Sequence, residues 1–244
     1  MRAILTYHSI DPSGSVISTA PQRFAAQVQW LARSSVASLS VAELACQPAG
    51  SDALAVTFDD GFASVSDAWP MLRDRGIPVT MFVATDHVGG FNAWGQPGGM
   101  QIPRLRLLDW DALGRMAGQG LEIGSHSRTH ADLRLASPDE IADEVERSAD
   151  TIRERLGLRP TVFAYPYGGY TPGVLAAAGA VYQYACTTDF RLASPADDPH
   201  ALPRLDAYYF RSAGSLESWG SVRARLRLGA RAVARGIRRR VVRQ

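Results

Sequence analysis

Ala53-Leu54-Ala55-Val56-Thr57-Phe58-Asp59-Asp60-Gly61 is an apolar run that ends abruptly in two carboxylates and a glycine. A short apolar run closed by a turn signal reads as a strand buried on both faces, the kind that parallel sheets covered by helices use. Similar runs on either side predict strands over residues 2–7, 78–84, 121–124, 161–165, 182–187 and 201–208. Helical patterns between them predict helices over 21–34, 63–75, 109–118, 137–156 and 172–178. Two of these open on recognisable start signals, Asp109 as a cap and Ser137-Pro138-Asp139-Glu140 as a cap, a first-turn proline and a third-position glutamate. Repeated strand–helix alternation implies parallel strands with covering helices, and about seven of them imply an α/β barrel whose chemistry gathers at the C-terminal strand ends.

The polar residues obey that rule. Tyr7-His8 follows the first strand, Asp59-Asp60 the second, His126 and His130 the fourth, and Tyr165-Pro166-Tyr167-Gly168 the fifth. Two adjacent carboxylates at a barrel mouth repel one another unless a cation neutralises one of them, although Asp-Asp-Gly also serves as ordinary turn chemistry. His126 and His130 stand four apart, a spacing that in a helical turn puts both imidazoles on one face within reach of one metal ion; the alternative is two unrelated surface histidines. One aspartate and two histidines would leave positions open for water and substrate, as a catalytic divalent site requires.

Length and composition agree with one domain. The chain has 244 residues, 46% hydrophobic and 20% charged, which excludes a disordered chain, a collagen-like repeat and a disulfide-rich miniprotein. Cys46 and Cys186 form no CxxC pair and read as free core thiols. No apolar stretch is long enough to span a bilayer, and the first residues lack a secretory pattern, so the expected location is the cytoplasm, with peripheral contact on the inner membrane face. All 26 basic residues are arginine, and nine of them fall between Arg223 and Arg243 in a segment without acids. The rest of the chain is net acidic, which argues against a nucleic-acid-binding domain. The expected division is a catalytic body over 1–215 and a basic tail over 216–244. In that tail Val222, Leu226, Ala230, Val233, Ile237 and Val241 recur with helical spacing and the arginines fall largely on the other side, a pattern that fits an anionic lipid surface, a solvated or partly disordered helix, or a helix packed on the acidic body.

Taken in order, Thr57-Phe58-Asp59-Asp60-Gly61, Ser125-His126-Ser127-Arg128-Thr129-His130 and Phe163-Ala164-Tyr165-Pro166-Tyr167-Gly168 resemble the motifs of the polysaccharide deacetylases (NodB-homology, carbohydrate esterase family 4). The resemblance implies a distorted (β/α)7 barrel that removes an N-acetyl group from an amino sugar in a glycan or a lipid-linked glycan precursor. It also implies Asp59 as general base and Asp60, His126 and His130 as ligands of one divalent metal, zinc first, with cobalt, nickel or manganese as alternatives. The backbone N–H of Tyr167 would hold the oxyanion. Two positions depart from the pattern. Ala164 stands where many members carry an arginine beside the base, and Arg204 is expected to take over that task. No late Leu-x-His motif occurs; the Tyr7-His8 pair is similar to that of the poly-N-acetylglucosamine deacetylases, which makes His8 the expected general acid and His200 its competitor. Aromatic stacking on sugar is expected from Tyr167 and Trp94, and residues 86–106, rich in glycine and proline, are expected to form a substrate lid. The alternatives are a deformylase or deacetylase of a lipid-linked or small-molecule amino sugar, and a non-catalytic carbohydrate-binding relic.

Overall fold

The structure is a computed structural model, describing residues 1–48, 50, 52–95, 102–212 and 214–241, with side chains to Arg235. Seven parallel strands form the body: β1 (Arg2–Tyr7), β2 (Ala53–Phe58), β3 (Val79–Val83), β4 (Glu122–Ser125), β5 (Val162–Ala164), β6 (Tyr184–Cys186) and β7 (Arg204–Asp206). They lie side by side in chain order, with β7 returning to the free edge of β1. A parallel bridge between Cys186 and Leu202 joins the β6 side to the residues leading into β7, so the barrel is nearly closed. The predicted strands all form; β1 and β2 keep the expected bounds, β4 is shifted one residue towards the C-terminus, and the others are shortened at their ends.

Seven helices accompany the strands: α1 (Pro21–Arg33), α2 (Val41–Cys46), α3 (Val65–Arg73), α4 (Trp110–Ala117), α5 (Pro138–Leu156), α6 (Pro172–Val181) and α7 (Val222–Val241). The two start signals work as read. Asp109 accepts from the Ala112 N–H at 2.7 Å, and Ser137 with Glu140 forms a reciprocal capping box at the head of α5. The short helix α2, absent from the periodicity, opens on a second capping box, Ser40 with Glu43.

Alternation along each strand decides what faces the barrel interior. On β2, Leu54, Val56 and Phe58 join the outer core beneath the helices, whereas Ala53 and Ala55 join an inner cluster with Ile4 of β1, Phe82 of β3, Val162 and Ala164 of β5, and Cys186 of β6. Val41 and Leu44 of α2 pack with this inner cluster. Gly124 lets β4 pass close to its neighbours: a Cβ there would lie 2.6 Å from the Phe82 ring and 3.0 Å from the Val162 carbonyl oxygen. The two-residue period that puts Ala53, Ala55 and Thr57 inside puts Asp59 inside as well. Ile4 and Thr6 on β1 do the same for His8, the residue that follows the strand.

The two cysteines part company. Cys186 is buried as expected, but Cys46 is exposed at the end of α2, with its Sγ 3.3 Å from the Tyr184 hydroxyl. Leu216, Ala224 and Leu228 pack on the body and belong to the same core as β1. Among the described residues no helix is long and apolar enough to cross a membrane.

Candidate active site

Asp59 and Asp60 point to different tasks because the backbone turns between them. Asp59 continues the β2 ladder, its N–H donating to the Tyr7 carbonyl at 2.9 Å. Asp60 and Gly61 then both adopt left-handed backbone, with φ of 71° and 74°. Aspartate tolerates that conformation better than most residues, and glycine accepts it without penalty. The turn brings the second carboxylate back over the barrel mouth instead of into the wall.

Arg204 on β7 clamps Asp59 from within the barrel. Its two terminal nitrogens donate to the two carboxylate oxygens at 2.6 and 2.8 Å, and its Nε donates to the Thr187 carbonyl at 2.9 Å. The arginine is 1% exposed and the aspartate 3%. Burial pushes the Asp59 carboxyl upward, but Arg204 foremost, with His126 and His8, outweighs it and leaves the group below the ordinary carboxylate range. His8 lies with its Nε2 3.9 Å from the Asp59 Oδ2 and is partly open to solvent.

Asp60, His126 and His130 form the second half of the site. The His126 Nδ1 faces the Ala164 carbonyl at 2.7 Å, so that nitrogen carries the hydrogen and Nε2 presents a lone pair. The Asp60 Oδ1 stands 3.5 Å from the His126 Nε2 and 3.3 Å from the His130 Nε2, yet it is buried without a hydrogen-bond partner. Burial drives His126 down to about 4, so it is neutral near pH 7; burial raises Asp60, but the His130 imidazole leads the opposing effects and the carboxyl ends at about 2. Three lone-pair donors therefore face one another, all within 4.8 Å. Two ligands of one tetrahedral ion at ordinary bond lengths are separated by about 3.3 Å. The donor set, its spacing and the orphaned carboxylate oxygen all fit a divalent cation.

The loop that carries the two histidines differs from the expected helical turn. Residues 126–130 are irregular, with Ser127 and His130 both left-handed at φ of 65° and 61°. Glu144, buried on α5, holds the loop: its carboxylate accepts from the Arg128 and Thr129 N–H groups at 3.0 and 2.9 Å and from the Thr129 hydroxyl at 2.6 Å. The Ser127 hydroxyl accepts from the His130 N–H at 3.1 Å. Neither residue stands out along the chain, since Glu144 lies well past the motif in the middle of a helix.

Tyr167 also sits in left-handed backbone, φ 58°, in the turn that follows β5. Its ring meets His130 edge-on at 4.7 Å, and its hydroxyl donates to the Gly95 carbonyl at 2.5 Å. Trp94 stacks on the His130 ring at 4.3 Å and 23°, so the expected lid segment contributes an aromatic wall beside the cluster. That segment is pinned at its base by Asn92, whose side chain bonds Pro103 and Leu105; Gly98 and Gly99 lie outside the described residues. His200 is remote from these groups, its ring 3.2 Å from the Tyr182 carbonyl. His8, Asp59, Asp60, His126, His130 and Tyr167 share one cavity of about 160 Å³. Trp94, His130 and Tyr167 also wall a second, larger cavity of about 630 Å³.

A parallel barrel whose mouth sets a metal-ready Asp-His-His cluster beside an arginine-clamped carboxylate has the equipment of a hydrolase for amides or esters. The chain belongs to the polysaccharide deacetylase family, whose model matches residues 47–184, more than half of its length. It is 27% identical to the YxkH protein of Bacillus subtilis over 209 residues, 83% of this chain and 70% of that one. It is 25% identical over 203 residues to the poly-beta-1,6-N-acetyl-D-glucosamine N-deacetylase of Staphylococcus epidermidis, 77% of this chain and 67% of that one. Among solved structures, IcaB from Ammonifex degensii superposes with a TM-score of 0.73 over 88% of this chain and 93% of that one, at 24% identity. These place the fold among the NodB-type barrels. His8 and Arg204 both fall outside the segment that the family model matches.

Proposed function

We propose that this protein is a metal-dependent hydrolase that removes N-acetyl groups from amino-sugar residues of a glycan. The observation that carries the reading is the pairing of two carboxylates in one buried mouth, Asp59 clamped by Arg204 and Asp60 left open towards two imidazoles. Asp60, His126 and His130 would hold one divalent ion, zinc first among the candidates; when bound, such an ion polarises an amide carbonyl and acidifies a coordinated water.

The side chains divide the remaining work. Asp59 accepts the proton of the attacking water, since Arg204 keeps it ionised while each of its oxygens retains a free lone pair. The Tyr167 N–H is assigned to the carbonyl oxygen as it gains charge; one such donor is worth about 3–4 kcal/mol. His8 is assigned the last transfer, delivering a proton to the amine nitrogen as the C–N bond breaks. Water and amide thus become acetate and a free amine, and Asp59 and His8 are reset by exchange with solvent. A carbohydrate-binding relic would have no use for a buried carboxylate held ionised by an arginine. The larger cavity walled by Trp94, His130 and Tyr167 favours a substrate that extends past the reacting sugar, as in the staphylococcal relative's poly-N-acetylglucosamine, over a small molecule.

Metal-loaded protein incubated with oligomers of N-acetylglucosamine is expected to yield products lighter by whole acetyl groups in mass spectra, with stoichiometric acetate. Binding without acetate release under every divalent ion tried would contradict the assignment. His8→Gln is expected to lower turnover by about 10²-fold with KM little changed, because only the proton delivered in the transition state is lost. Turnover equal to that of the parent would transfer the acid role to another group.

A further inference from the structure

We infer that the outward face of α7 docks on a bilayer surface rich in anionic lipid. The helix has two unlike faces. On the inner one, Ala224 and Leu228 are buried in the core, and three arginines are already engaged: Arg227 with the Ser215 carbonyl, Arg231 with the Tyr209 carbonyl at 2.9 Å, and Arg235 with the Tyr209 hydroxyl at 2.8 Å. The Arg235 guanidinium also lies 5.5 Å from the centre of the Phe190 ring. These contacts fix which side of the helix is free: the side that carries these arginines faces the body, and the apolar stripe faces out.

The free side carries Val222, Leu226 and Val233, 73%, 70% and 65% exposed. Spaced by four and seven residues, they form one stripe along the helix. They are three of the six large apolar side chains most exposed among the described residues, so the concentration on one helix is unlike the rest of the surface. Arg223 and Arg225, both exposed, stand on either edge of the stripe. No acidic residue occurs after Glu217, whereas nine arginines do.

Charge decides between the occupants. Pairing the stripe with that of a second copy would bring the flanking arginines of both copies together without an acid to offset them. An anionic bilayer meets both features at once, accepting the valine and leucine side chains at the level of the headgroups while the arginines reach lipid phosphates. Gly220, just before the helix, lies beside Asp52, which precedes β2, so the helix starts at the end of the barrel opposite the mouth.

The test is vesicle flotation of the full chain with phosphatidylcholine alone and with phosphatidylcholine mixed with phosphatidylglycerol. Binding to the mixed vesicles at least tenfold stronger than to phosphatidylcholine, weakened by salt, supports the inference. The Leu226→Asp, Val233→Asp double variant should abolish it, and Arg223→Gln with Arg225→Gln should weaken it severalfold, each with deacetylation of a soluble oligomer unchanged. Equal binding to both vesicle types, or undiminished binding by the double variant, would overturn it. So would a dimer in light scattering that Leu226→Asp dissociates, because the stripe would then be a protein interface. These arms read the helix independently of the reaction at the barrel mouth.

Discussion

Asp59→Asn is expected to lower acetate release by about 10³–10⁴-fold, towards the upper end of what a general base contributes. The substitution keeps the shape of the side chain and removes only its charge and basicity. Metal binding should survive, since Asp60, His126 and His130 supply the three donor atoms that face one another and Asp59 supplies none. The variant also leaves Arg204 charged and buried, so a lower Tm is part of the expected result. Measuring metal stoichiometry alongside turnover separates lost chemistry from lost fold. Turnover within a few fold of the parent, with the protein folded and metal-loaded, would remove Asp59 from the reaction.

Arg204→Ala is expected to cost about 3–5 kcal/mol of stability, because it strands a carboxylate in a dry interior. Its effect should depend on pH in a definite sense. In the parent, Asp59 is depressed below its ordinary value, so the pair stabilises the protein above the carboxylate range and that contribution is lost as the pH falls through the folded-state value. Without Arg204, burial is the largest remaining influence and acts to raise the group, so the variant binds its proton at higher pH. The stability gap between the two proteins should therefore be wide near neutrality and narrow in acid. The same shift should carry the acid limb of the pH–rate profile to higher pH. Arg204→Lys should restore little, since one ammonium cannot make the two parallel bonds to Asp59. A loss of stability with an unmoved acid limb would mean that Arg204 supports the wall and does not tune the base.

The barrel was legible because its strands are short apolar runs and its functional residues stand at their ends. The alternation that buries Ala53, Ala55 and Thr57 on β2 also points Asp59 inward, so its place in the barrel follows from the strand itself. Arg204 was visible as a lone cation beside an apolar strand, although its partner lies 145 positions away and only closure of the barrel brings them together. The histidine loop shows where local reading stops. A spacing of four fits a helix, but Ser127 and His130 take left-handed backbone with neither glycine nor asparagine to signal it. What holds them there is Glu144 on α5, a contact made only after that helix packs against β4. Helix α2 escaped notice because six residues are too few to show a period, even with a capping box at the start. In the basic tail the period was real, but packing turned three arginines inward and left the valine and leucine stripe outside.

Calorimetric titration of metal-free protein with zinc tests the central claim most directly. One ion should bind per chain, and acetate release should rise in step with occupancy. His126→Ala and His130→Ala should each abolish that step while the remaining fold persists. Tight binding that both variants retain, or full turnover in the presence of a strong chelator, would show that Asp60 and the two imidazoles do not form the catalytic centre.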